Sequence, residues 1–317
     1  MPKTAVVLFN LGGPDSLEAI EPFLYNLFRD PDIFNLPFGQ KLFAKFISSR
    51  RASKVAEEYK LIGGKSPIGE WTEIQRSMLE SNLRMINSSI DVFIAMRYWK
   101  PLTEETVHKI ETYQYDKVIL LPLYPHYSIA TTGSSFNEWN RYYKGDASKL
   151  VYIRDYFLND KYIASINQRI DETILSFPEA IRSDIQIVFS AHGTPVSFVK
   201  KGDPYSFQIK ETVEAVMSAR KYSHQFCVCF QSKVGPLKWL EPSTAKMIEN
   251  LAFQNRKNLL IVPISFVSDH VETLFELNIE YRHVADKFGI ENYIVMNGLN
   301  DSNLFVESLA ELAKEKM

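Results

Sequence analysis

The sequence predicts an α/β protein of two similar halves, each a four-stranded parallel sheet flanked by helices, with a ligand cleft between them. Three observations carry this. Eight short apolar runs rich in β-branched residues have the length of buried strands. Helical patterns separate most of them, and strands alternating with helices pair in parallel. The order of the signals then repeats along the chain.

Ala5–Phe9 is the first strand and runs into the glycine turn Gly12-Gly13-Pro14. From Pro22 to Phe46 come many large apolar residues, broken by Pro31 and Pro37, which a packed helix pair accounts for. Val92–Met96 is the second strand, Thr103–Thr112 a helix, Val118–Leu123 the third strand and Leu150–Ile153 the fourth. The helix Tyr162–Leu175 leads to Ile185–Phe189, which opens the second half and is followed by Gly193-Thr194-Pro195. Helix Phe207–Ala219, strand Phe226–Phe230, helix Thr244–Asn255 and strands Leu259–Ile264 and Tyr293–Met296 complete the order. Val118-Ile-Leu-Leu-Pro122 matches Leu259-Leu-Ile-Val-Pro263, and Leu158-Asn159-Asp160 matches Leu299-Asn300-Asp301 at the same offset. Domains 1–157 and 158–317 are expected, the C-terminal helix being able to pack back on the first.

With 317 residues the chain has room for two domains of about 150 each. Its 45% hydrophobic and 23% charged content excludes general disorder. Lys and Arg total 36 against 38 Asp and Glu, and this balance argues against a nucleic-acid partner. Two cysteines cannot build a disulfide framework, so a reducing compartment is expected. Runs such as Val118–Tyr124 fall far short of the ~20 residues that span a bilayer, and the first residues lack a signal-peptide pattern. A cytoplasmic location follows as an expectation.

Ligands of open parallel sheets collect at the carboxyl ends of the strands. After Ile185–Phe189 stands Ser190-Ala191-His192-Gly193, placing a histidine where it can take a proton or ligate a metal, or serve as a hydrogen-bonded structural residue. In Gly202-Asp203-Pro204-Tyr205 a turn precedes a helix that Asp203 or Ser206 could cap. Read as an α-helix at about 100° per residue, Asp269, Glu272, Glu276 and Glu280 share an arc of about 80°. No Lys or Arg relieves this row of like charges. It is either a solvated acidic face or a path for a divalent cation. His270 within it could equally cap or pack.

Cys227 and Cys229 sit two apart on a strand and read as buried, inert thiols. Asn10-Leu11-Gly12-Gly13-Pro14 lacks the Lys-Ser/Thr ending of a phosphate loop. The apolar stretch 22–46, followed by Arg50 and Arg51, could also form a lip for a flat aromatic ligand or a membrane surface. Gly63-Gly64-Lys65-Ser66-Pro67 is a second loop able to bring backbone close to a ligand.

These residues resemble the ferrochelatase family. Phe189-Ser190-Ala191-His192-Gly193-Thr194-Pro195 with Gly202-Asp203-Pro204-Tyr205 is similar to its signature. So are Gln231-Ser232-Lys233-Val234-Gly235-Pro236 with Trp239-Leu240, Ser268 to Leu274, Gly63 to Pro67, Arg97-Tyr98 and Thr131 to Ser135, all in family order. The resemblance implies a chelatase-like fold of two Rossmann-like domains and insertion of ferrous iron into a porphyrin with release of two protons, late in haem synthesis. It implies His192 and Glu272 as the pair at the iron and the pyrrole nitrogens. Glu276 and Glu280 would belong to the acidic path, with Asp269 and His270 in support. Arg51, Tyr59, Ser66, Arg97, Trp239 and His270 would contact the porphyrin.

Some family members carry an iron–sulfur cluster on a C-terminal extension that also supports dimers. Here no cysteine follows Cys229, so no cluster, no tightly bound cofactor and a monomer are expected, with Fe2+ as substrate. The apolar mouth at 34–46 favours protoporphyrin over coproporphyrin and leaves peripheral membrane contact open. A cobalt or nickel chelatase acting on a reduced tetrapyrrole and a non-enzymatic haem or metal carrier are the competing readings.

Overall fold

A computed structural model describes residues 3–34, 36, 38–233 and 237–317. Pro37 of the expected interruption and Val234-Gly235-Pro236 of the family block lie outside the described residues. The chain divides into two compact units, Met1–Tyr156 with Asp301–Met317, and Phe157–Asn300. The division therefore falls after Tyr156, and the C-terminal helix belongs with the first unit.

The first unit holds a sheet of order β2-β1-β3-β4, made of β1 (Thr4–Asn10), β2 (Ile90–Met96), β3 (Lys117–Pro122) and β4 (Leu150–Tyr152). All pairings are parallel. Every residue of β1 is buried, as a central strand covered on both faces requires. Phe9 meets the rings of Phe136 and Trp139 edge-on at 5.7 Å each. Each such buried side chain contributes about 1.5–3 kcal/mol relative to exposure. Helices α1 (Ile20–Phe28), α2 (Gln40–Lys60), α3 (Ile68–Arg84), α4 (Thr103–Tyr113) and α5 (Ser134–Tyr142) belong to this unit, and α11 (Asn303–Lys314) packs on α3 and β3.

The second unit repeats the plan as β6-β5-β7-β8, with β5 (Gln186–His192), β6 (Gln225–Gln231), β7 (Asn258–Val262) and β8 (Asn292–Val295), again all parallel. The fold class read from the alternating pattern is the one observed. The helices around this sheet are α6 (Asp160–Leu175), α7 (Val196–Lys200), α8 (Tyr205–Ala219), α9 (Thr244–Phe253) and α10 (Tyr281–Lys287). Asp203 rather than Ser206 starts α8, its Oδ1 accepting from the Tyr205 N–H at 2.9 Å. The repeated Leu-Asn-Asp motif serves two purposes. Asn159 caps α6, whereas α11 is capped by Ser302, which frees Asn300 for another role.

In each sheet the chain leaves the central strand to one side and returns on the other. This makes the carboxyl ends of β5, β6 and β7 the switch point of the second unit, where open α/β sheets bind ligands. Among the described residues no helix is long and apolar enough to cross a membrane.

Candidate active site

His192 is the last residue of β5. Its backbone is held on both sides: its N–H donates to Ser265 Oγ at 2.9 Å, and its carbonyl accepts from the Tyr205 hydroxyl at 3.0 Å. The next residue must be glycine, because a Cβ there would lie 2.6 Å from the Gln231 carbonyl oxygen. The ring nitrogen Nδ1 is 2.6 Å from the Gly193 carbonyl oxygen. A carbonyl only accepts, so Nδ1 donates to it and Nε2 is the ring nitrogen left for another partner. That Nε2 faces Glu272 Oε2 at 3.6 Å, with 36% and 26% of the two side chains exposed. A pair this open to water contributes about 0–1 kcal/mol to stability, so folding alone does not account for it.

Glu272 begins a segment, Glu272–Glu280, that is a π-helix. This corrects the α-helical reading of the acidic row. With i→i+5 bonding there are more residues per turn, so side chains four apart fall short of a full turn instead of overshooting it. Glu276 still comes back to the same spot. Its Oε1 accepts from the Ser232 N–H at 2.8 Å and the Tyr281 hydroxyl at 3.0 Å. Its Oε2 accepts from Ser232 Oγ at 2.5 Å and Gln231 Nε2 at 3.2 Å. Ser232 Oγ also lies 3.3 Å from Glu272 Oε2, so one hydroxyl bridges both acids. Burial, and then the negative charge of Glu272, raise the Glu276 carboxyl above its ordinary value, against the lowering by Ser232. Glu280, at the far end, is exposed.

Asp269 does not belong to the row. It precedes the helix, is buried, and its carboxylate is taken up by Thr273, Gly298 and Asn300. His270 is buried beside it, its ring 4.5 Å from that of Phe266, which in turn meets His192 edge-on at 6.2 Å. Its Nδ1 is 3.1 Å from the Ser268 carbonyl oxygen, and its Nε2 has no hydrogen-bond partner among the described residues. Trp239 lies along residues 194–196, its ring against Gly193. Cys227 and Cys229 are free thiols; Cys229 is buried as expected but Cys227 only half-buried, and burial pushes Cys229 up to about 11 and Cys227 up to about 12.

Arg51, Tyr59, Ser66 and Arg97 belong to the first unit. Arg51 is exposed, its guanidinium 5.6 Å from the Phe28 ring. Tyr59 and Ser66 are buried, the Ser66 N–H donating to the Pro14 carbonyl at 2.8 Å. Arg97 departs from the expectation of a ligand contact. Its buried guanidinium bonds Asp30 Oδ1 at 2.9 Å and Ser134 Oγ at 2.7 Å, and lies 3.4 Å from Glu138 Oε1. All three of its nitrogens thus face partners inside the unit. In the expected lip the Phe34 ring meets those of Phe28 and Phe43 at a tilt, 5.3 and 6.4 Å away, while Phe38, Leu42 and Phe46 project outward at 91%, 75% and 58% exposure.

Ser232, Gln231, Tyr281, Ser265 and Phe266 complete the site, and no role was assigned to them from the sequence. Ser232 had a signal: it follows the carboxyl end of β6, and its φ of 63° is a strained value found at functional positions. Among the described residues no group of three or more His, Cys, Asp or Glu is arranged to hold a metal ion. The pair His192–Glu272 sets one imidazole beside one carboxylate.

The family profile described as Ferrochelatase matches residues 3–317. A protein named ferrochelatase from Citrifermentans bemidjiense is 46% identical over 317 residues, covering 98% of both chains. One from Trichodesmium erythraeum is 42% identical, covering all of this chain and 83% of its own. Among solved structures, SirB from Bacillus subtilis with Fe3+ has a TM-score of 0.54 at 10% identity, over 99% of this chain and 95% of that one. CbiX, described as the terminal enzyme of sirohaem biosynthesis in denitrifying bacteria, has 0.53 at 10% identity over 99% of each. These two structures share the fold. The profile match and the full-length identities make the chain a member of the ferrochelatase family, enzymes of the lyase class that insert a metal into a porphyrin.

Proposed function

We propose that the chain inserts ferrous iron into protoporphyrin IX, giving protohaem and two protons. The observation that carries this reading is His192 Nε2 facing Glu272 Oε2 across 3.6 Å, with Glu276 behind it. A planar porphyrin hides its two N–H protons in the ring plane, and bending the ring exposes them. His192 takes a pyrrole proton at Nε2, and the resulting imidazolium is stabilised by the Glu272 carboxylate. Glu276 and Glu280 extend the negative charge away from this pair and favour approach of a partly dehydrated divalent cation. Iron is substrate rather than resident cofactor, and no iron–sulfur cluster is proposed, since both cysteines lie within β6. The outward apolar side chains of 38–46, beside Lys41, Lys45 and Arg50, support the choice of protoporphyrin and peripheral contact with an anionic bilayer; the reading also takes the chain as a cytoplasmic monomer.

The test is anaerobic insertion of ferrous iron or zinc, followed by porphyrin absorbance, with protoporphyrin and coproporphyrin side by side. Turnover that favours protoporphyrin and falls about 10²–10⁴-fold in His192→Ala, with porphyrin binding kept, is the expected result. Preference for coproporphyrin overturns the substrate assignment. Tight porphyrin binding with no turnover overturns the enzyme reading in favour of a carrier.

A further inference from the structure

The π-helix that carries Glu272 has no side-chain cap at its start, Val271. Its first turn is held instead by a ring of hydrogen bonds to a loop that arrives from β8. Asp269 Oδ2 accepts from Asn300 Nδ2 at 2.7 Å, and the Asp269 N–H donates to Asn300 Oδ1 at 2.9 Å. Asp269 Oδ1 accepts from the Gly298 N–H at 3.1 Å and from Thr273 Oγ1 at 2.8 Å. Thr273 Oγ1 in turn accepts from the His270 N–H at 3.1 Å. His270 and Glu272 are therefore bracketed between two anchored residues, Asp269 and Thr273.

Asn300 is fitted to this place. Its φ of 42° lies in the left-handed region, which asparagine tolerates better than most side chains. Its own N–H donates to the Val267 carbonyl at 2.9 Å, which fixes the loop from a second side. Gly298 leaves no room for drift, because a Cβ there would sit 2.9 Å from both the Asp269 nitrogen and Asn300 Oδ1.

We propose that Asn300 is a positioning residue for metal insertion, holding Asp269 so that Glu272 stays opposite His192. Asn300 acts through the ring. The inference rests on the insertion reading above.

Two variants test it. Asn300→Gly keeps the left-handed backbone and removes the amide, while Thr273→Val keeps the shape and removes the hydroxyl. Zinc insertion into protoporphyrin is measured for each full-length protein, with KM for zinc and for porphyrin determined separately and melting curves recorded alongside. Expected is a fall of about 10–100-fold in kcat/KM for zinc, with KM for porphyrin changed by less than about twofold. Should Asn300→Gly not fold, Thr273→Val makes the same comparison. Zinc kinetics close to those of the parent, or equal losses on zinc and porphyrin, overturn the proposal. A parent chain that inserts no metal overturns the insertion reading and this one with it, whereas an active parent with unaffected variants overturns this one alone.

Discussion

Replacing Glu276 by glutamine makes the protein's stability less dependent on pH. Burial and the charge of Glu272 raise the Glu276 carboxyl in the folded chain above 4.5, so the folded state binds a proton that the unfolded state has already lost. Stability therefore falls as pH rises from the ordinary carboxylate value through the raised one, the reverse of a salt-bridged acid. One linked proton limits the slope to about 1.4 kcal/mol per pH unit. At about 2–4 °C per kcal/mol, the ceiling is about 3–6 °C per pH unit.

Glutamine keeps the oxygen that accepts from the Ser232 N–H and Tyr281. Its amide replaces the oxygen that faced Gln231 Nε2, which leaves two donors opposed and costs about 1–3 kcal/mol at every pH. Melting of the parent and Glu276→Gln between about pH 5 and pH 8 separates the constant cost from the sloping gain. The variant's melting temperature should rise relative to the parent's as pH increases. A difference that stays flat, or moves the other way, refutes the account of Glu276 as a destabilised carboxylate.

Arg97→Leu leaves Asp30, whose side chain is wholly buried, without its cation, and a loss of about 3–5 kcal/mol is expected in denaturant unfolding. An unchanged midpoint would mean that Arg97 is free for a ligand after all. The outward side chains of α2 and the preceding loop predict co-sedimentation with anionic liposomes at low salt, weakened by added salt and by Phe38→Ser with Phe46→Ser. No binding at low salt removes the membrane proposal.

The architecture was legible because parallel strands buried on both faces are written as uninterrupted apolar runs, as in Ala5–Phe9 and Leu259–Val262. His192 was legible for a related reason: a polar residue right after such a run stands at the carboxyl end of a strand, where only a turn is left to hide it. The acidic row was half legible. Spacing brought Glu272 and Glu276 together, but spacing cannot tell an α-turn from a π-turn, because that choice depends on which backbone carbonyl each N–H reaches.

Asp269 and Arg97 show where local pattern stops. Each sits in a block that matches the family, and each is drawn into its own unit by partners distant in sequence: Asn300 for the one, Asp30, Ser134 and Glu138 for the other. The sequence by itself determined the strands, their repeat, the family and the residue types at the site. The tertiary structure alone decided which of those charges are free to meet a substrate. A charge's role depends on what surrounds it in space, and a linear order carries no record of partners about thirty to seventy residues away.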